Sequence, residues 1–284
     1  MPIARNGICD INYEVTIDGG GPPLILIAGL GEQIGSVEFP LEQCKLFADA
    51  GFKVVRIDNR DSGLSVLSED AIDAPYTLID MADDIAAVIN DLDDGPVHVL
   101  GASLGGFIAR WLTTRHPELV LSLTIVMSGS GAGPSEEGPQ VDPAVREKNS
   151  AILEVLPKEE AIESGVEYWR WLWGNGYPFP EALIRKRLAH SIDRSYRPDG
   201  LARQIRAAIS TEGLWEAQTQ IAIPTLVLHG GEDPYFSTSH GESISKRISG
   251  AKLWMDPQMG HIMHEEQWSD LATRVKELAF DSGT

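Results

Sequence analysis

Cysteine is nearly absent from this 284-residue chain: Cys9 and Cys44 are the only two, too few for a disulfide framework. Positive charge is also scarce. Against 42 acidic residues stand 23 lysines and arginines, a formal net charge of −19. A field of that sign repels phosphate backbones and anionic bilayers, so no nucleic acid partner is expected, and the simplest consequence of the charge is solubility. No apolar run reaches membrane-spanning length, which argues against integral membrane association. The opening Met1–Gly7 carries no apolar signal core, so a cytoplasmic location is expected. Clusters of His, Cys and Asp at ligand spacing are missing, so no metal and no cofactor is expected. Internal repeats and low-complexity tracts are lacking too. Nothing in the sequence specifies an oligomer.

What is present is a rhythm of apolar runs and amphipathic stretches. Residues 8–17 alternate, as an exposed antiparallel strand would, and Asp18–Pro22 marks a turn. Leu24–Ile27 is a continuous apolar run suited to a strand buried on both faces. A helix over 37–50, a strand over 53–58 and an amphipathic helix over 77–92 follow, then apolar strands at 97–102 and 121–127. This alternation predicts an α/β fold with a mostly parallel central sheet flanked by helices. At Ser128–Pro134 the rhythm breaks, and only helical patterns follow: 143–156, 158–173, 180–195 and 199–212. Strands at 221–229 and 251–255 and a helix at 265–280 complete the alternation. The expected organisation is therefore a core of residues 1–133 and 219–284 carrying an inserted helical cap, 134–218. That block concentrates aromatic rings. Most must pack internally, but a cap covers a pocket, so Trp169, Trp171 and Trp173 are candidate substrate-pocket residues.

The chemistry centres on Val97–Gly106, where an apolar run ends in Gly101-Ala102-Ser103-Leu104-Gly105 and helical sequence follows at once. A sharp strand–turn–helix bend of this kind holds a serine hydroxyl clear of the sheet and tolerates only small neighbours. An N-cap serine in an ordinary turn would read the same in isolation. A serine nucleophile, however, needs a base to take its proton and an acid to orient the base. In a parallel sheet, loops at the carboxyl ends of strands supply both. Two such loops carry Asp233, in Gly230-Gly231-Glu232-Asp233-Pro234, and His261, after Asp256–Gly260. The order Ser103, Asp233, His261 is one that recurs in hydrolytic triads. Glu232 is a rival acid, but Asp-Pro after a glycine turn favours Asp233; His264 is a rival base that reads as a helix-start residue. His98 and His229 fall within strands and read as buried structural imidazoles, while His116, His190 and His240 read as surface residues. The oxyanion of an acyl transfer needs two N–H donors. Leu104, directly after the nucleophile, supplies one, and Leu30, after the Leu24–Ile27 strand, is the candidate for the other.

With these motifs the chain resembles the α/β-hydrolase-fold serine hydrolases along its whole length. Its loop Asp58-Asn59-Arg60-Asp61-Ser62-Gly63-Leu64-Ser65 is similar to that of aclacinomycin methylesterase-like bacterial esterases, with Asp61 where many members have Gly. Ala28-Gly29 stands where His-Gly is commoner, which leaves a backbone donor at Leu30 intact. Ser103 separates the chain from the dehalogenase and epoxide-hydrolase branches, which carry Asp there. The resemblance implies a carboxylic-ester hydrolase acting on a small-molecule ester through an acyl-enzyme. The same constellation also serves cofactor-free haloperoxidases or perhydrolases, lactonases, amidases and C–C hydrolases, and some proteins of this fold are ligand receptors.

Overall fold

The computed structural model describes residues 2–68, 74–131, 133 and 138–280. Among these residues nine strands form one sheet. In chain order they are β1 (Ile3–Asn6), β2 (Cys9–Asp18), β3 (Pro23–Ile27), β4 (Lys53–Ile57), β5 (Val66–Leu67), β6 (Val97–Ala102), β7 (Val120–Val126), β8 (Thr225–Gly230) and β9 (Lys252–Asp256). Their spatial order is β1-β2-β4-β3-β6-β7-β8-β9, with β5 paired to β2. From β4 to β9 every neighbouring pair along this path is parallel, whereas β1, β2 and β5 form an antiparallel margin.

The central strands read as unbroken apolar runs because both faces are covered. Along β3, Ile25 and Ile27 join one core with α2 (Leu78–Leu92) and α3 (Leu104–Arg115); Leu24 and Leu26 join another with α1 (Leu41–Asp49) and α10 (Glu265–Phe280). That is the two-residue period of a strand dividing its side chains between two helical layers. Local chemistry sets the helix ends. Pro40 caps α1, so the helix starts there and not at residue 37. Thr77 and Asp80 form a reciprocal capping box on α2. Pro224 delays β8 to Thr225, four residues after the apolar run begins. Strand β2 is less exposed than its alternation suggests, because β1 and α2 cover Ile11 and Tyr13.

Between β7 and β8 lie helices α4 (Ala144–Ala151), α5 (Lys158–Trp173), α6 (Glu181–Arg194), α7 (Pro198–Ser210) and the short α8 (Leu214–Ala217). The expected boundary at 133/134 falls at the edge of the described residues, Pro134 lying outside them. This helical stretch is clasped to the loop after β4. Asp58, with a fully buried side chain, accepts from Arg194 of α6, from Asn12 and from the Ile34 and Leu64 amides. Arg203 of α7 makes a bidentate pair with Asp61, both contacts 2.8 Å. Asp61 has φ +67°, a conformation natural to glycine that aspartate tolerates, and Arg203 neutralises it. Gln204 bridges the Arg60 carbonyl and the Gly31 amide.

Removing one partner of a desolvated pair leaves the other charge stranded. Arg203→Ala is therefore expected to lower stability by about 3 kcal/mol in urea unfolding. Adding Asp61→Asn should recover part of that loss, and equal stability of wild type and Arg203→Ala would show the clasp to be idle. Among the described residues no helix is long and apolar enough to cross a membrane.

Candidate active site

Ser103 sits between β6 and α3 with φ +51° and ψ −115°, a strained conformation for a residue with a side chain. Close approach makes the bend specific. A Cβ on Gly101 would stand 2.3 Å from the Gly105 carbonyl oxygen, and one on Gly105 2.0 Å from that of Ile27. The Ser103 amide donates to the Val126 carbonyl, and the Ser128 hydroxyl donates to the Ser103 carbonyl. Below them Arg110 is fully buried, its guanidinium donating to the Gly106 and Gly129 carbonyls, Gln218 and Ser128. No carboxylate pairs with it among the described residues, and burial pulls its pKa down to about 9.

Three side chains from three loops converge. Ser103 Oγ lies 2.8 Å from His261 Nε2, and His261 Nδ1 lies 2.8 Å from Asp233 Oδ2. A carboxylate only accepts, so Nδ1 carries the proton and Nε2 is left to accept from the serine hydroxyl. Asp233 is held by the Tyr235 and Phe236 amides, which donate to its other oxygen at 2.8 and 2.9 Å. His261 is pinned through its backbone amide, which donates to the Leu172 carbonyl of α5 at 2.7 Å.

The Glu32 amide donates to the Gly29 carbonyl, and Gly31 at φ +71° completes a tight turn with Leu30 at its tip. Among the described residues neither the Leu30 nor the Leu104 amide donates a hydrogen bond. Leu104 is the first residue of α3, whose opening N–H groups have no partner within the helix. Behind the turn two carboxyls are buried. Glu38 accepts from the Gly29 amide, and Glu32 accepts from the Val37 and Glu38 amides and the Ser36 hydroxyl. Burial pushes Glu32 up to about 7; burial and the charge of Glu32 push Glu38 up to about 8.

Because these groups hold their protons more tightly in the folded chain, folding loses stability as pH climbs from about 5 toward 8. Glu38→Gln keeps an oxygen for the Gly29 amide and removes the buried charge. Its Tm advantage over wild type should grow across that pH range in thermal melts; a constant difference would refute the assignment.

A cavity of about 370 Å³ opens at Ser103 between the core and the helical stretch. Leu30, Leu104, Phe107 and Phe236 line its floor, with Val145 of α4 and Ile205 of α7 above. The expectation for the tryptophans is corrected here: none of Trp169, Trp171 and Trp173 lines this cavity. Trp169 and Trp173 are buried with Leu172, Ile184 and Ile262, on the face of α5 that meets α6 and the loop carrying His261. Trp169 borders a separate cavity of about 160 Å³ on the far side of Leu30, and Trp171 packs on Tyr235. The cavity wall comes instead from α4 and α7. In α7 the spacing Ile205, Ala208, Ile209 was the available signal.

His240 is likewise corrected. It is buried, and its Nδ1 accepts from the Ser130 amide. The i, i+4 series Phe236, His240, Ile244 could have revealed that it faces inward. His264 immediately precedes α10, packs against Trp173 and Tyr177, and is kept neutral by burial. His98 and His229 are buried in their strands and bond to Ser122 and to the Phe236 carbonyl.

Residues 22–267 match the family model described as the alpha/beta hydrolase fold. The chain is 30% identical over 264 residues to rhodomycin D methylesterase of Streptomyces sp. strain C5, covering 87% of each chain. It is 29% identical to the Streptomyces peucetius enzyme of the same name, covering 89% of this chain and 91% of the relative. A solved structure of the meta-cleavage product hydrolase from Pseudomonas fluorescens IP01 superposes with a TM-score of 0.78 at 20% identity, covering 100% of this chain and 98% of that one, a likeness of fold. The chain belongs to the alpha/beta hydrolase fold family and is a hydrolase.

Proposed function

We propose that this chain hydrolyses carboxylic esters through an acyl-enzyme at Ser103, with His261 as base and Asp233 as its orienting acid. The observation that carries this reading is the unbroken chain Ser103 Oγ–His261 Nε2–His261 Nδ1–Asp233 Oδ2, each hydrogen bond 2.8 Å. His261 takes the hydroxyl proton as Ser103 attacks the ester carbonyl. The Leu30 and Leu104 amides are the donors to the oxyanion, each worth on the order of 3 kcal/mol in the transition state. Collapse expels the alcohol, protonated by His261, and a water activated by the same imidazole releases the acid.

Residues 134–218 act as the cap, closing the largely apolar cavity over the core of 1–133 and 219–284. The relatives named methylesterases favour a methyl ester as the substrate. The cavity lining of Phe107, Phe236, Val145 and Ile205 suits an apolar acyl group. The test is a panel of methyl and p-nitrophenyl esters run with and without a fluorophosphonate. Turnover that the reagent stops, with label on Ser103, is the expected result. Turnover that survives full labelling would sink the proposal.

A further inference from the structure

Tyr235 is the residue at which the acid, the base and the inserted helices meet. Its backbone amide donates to Asp233 Oδ1 at 2.8 Å. Its ring lies face to face with the His261 imidazole, centroids 4.9 Å apart and planes inclined by 22°. Its hydroxyl accepts from Asn149 Nδ2 of α4 at 2.7 Å, and Asn149 Oδ1 in turn accepts from the Tyr168 hydroxyl of α5 at 3.0 Å. The network is sheltered: Tyr235 and Tyr168 join the aromatic cluster of α5 and α6, and Trp171 packs on the outer side of Tyr235.

An imidazole bonded at both nitrogens is fixed in its own plane, but those two bonds leave it free to rock about the line joining them. Resisting that motion needs a surface against the ring face, and the Tyr235 ring supplies one. The ring is itself a side chain in a loop and would rock in turn. Its hydroxyl, at the far end from the backbone, is where a tether has the greatest leverage, and Asn149 holds it there. Both Tyr235 and Asn149 also line the cavity at Ser103.

Resting on the triad reading above, we propose that Tyr235 is a positioning residue, through which Asn149 and Tyr168 of the helical insertion hold the His261 imidazole in line with Ser103. The placement of α4 over the cavity and the alignment of the base are then held by one network. Small misplacements of a reacting group are costly, which makes such a device worth building.

The test is a set of variants in the full chain, assayed with a p-nitrophenyl ester and checked for folding by thermal melts. Tyr235→Phe keeps the stacked ring and removes the tether; Asn149→Leu removes it from the other side. Each is expected to lower kcat about 3–10-fold with KM changed less than twofold, and the double variant should be no worse than either single, because one link is cut twice. Asn149→Asp should restore most of kcat, since each phenol can donate to a carboxylate. Multiplicative losses in the double variant, an effect on KM alone, or wild-type kcat in well-folded Tyr235→Phe would each overturn the proposal. Ser103→Ala separates the two readings. If it retains turnover, the triad assignment fails; if it is inactive while Tyr235→Phe is normal, only the positioning role fails.

Discussion

Ser103→Ala is expected to abolish ester hydrolysis, lowering kcat by a factor on the order of 10⁴ or more, and to leave the fold intact. The size of the effect follows from what the hydroxyl does: without it no acyl-enzyme forms, and only the oxyanion donors and the cavity remain to help water attack. The small structural cost follows from its place. The side chain bonds to His261 Nε2, and the bend itself is held by backbone contacts to Val126, by Ser128 and by the glycine approaches at 101 and 105. Alanine meets the same backbone requirement at φ +51°, so Tm should move little. Fluorophosphonate labelling should disappear together with activity. A variant that melts like the wild type and still turns over substrate at a substantial rate would remove Ser103 from the mechanism.

That Ser103, Asp233 and His261 would meet was readable in the sequence because each stands in a local pattern that sterics and topology enforce. A strand must end, a turn must fit, and the side chain must emerge at the carboxyl edge of the sheet. Gly101 and Gly105 illustrate this: the backbone contacts that a Cβ would violate are the reason for the Gly-x-Ser-x-Gly spelling. Leu24–Ile27 was legible for a similar reason, since burial on both faces leaves no polar position.

The aromatic block resisted such reading. Which face of α5 meets a cavity depends on where α4, α6 and α7 sit. The stripe Trp169, Leu172, Trp173 looks the same whether it faces a ligand or, as here, α6 and Ile262. His240 and Glu38 were missed because their burial is decided by distant partners, Ser130 for the first and the Gly29 turn for the second. Strands β1 and β5 are too short to carry a period of their own, and their pairing with β2 defines them. Asn149 and Tyr235 stand 86 residues apart, beyond any local signal. Asp61 lies between these cases. Its departure from glycine was visible in the sequence, but the reason lies across the cleft, in Arg203.

His261→Ala is expected to cost about as much as Ser103→Ala, and the double variant no more than either, because nucleophile and base act as one unit. Asp233→Asn separates orientation from proton transfer. An asparagine oxygen can still accept from the Tyr235 and Phe236 amides, so the loop should keep its shape. Its NH₂ group then faces His261 Nδ1, where the carboxylate oxygen now lies at 2.8 Å. A donor there selects the imidazole tautomer with the proton on Nε2, which cannot accept from the Ser103 hydroxyl. The expected loss is about 10⁴-fold in kcat with substrate binding little changed. His264→Ala is the control. His264 packs between Trp173 and Tyr177 and accepts from the Gly260 amide, so its loss should lower Tm and leave kcat largely in place. An inactive His264→Ala beside an active His261→Ala would transfer the role of base to His264. Full activity in Asp233→Asn would pass the orienting role to another acid, with Glu232→Gln the next variant to measure.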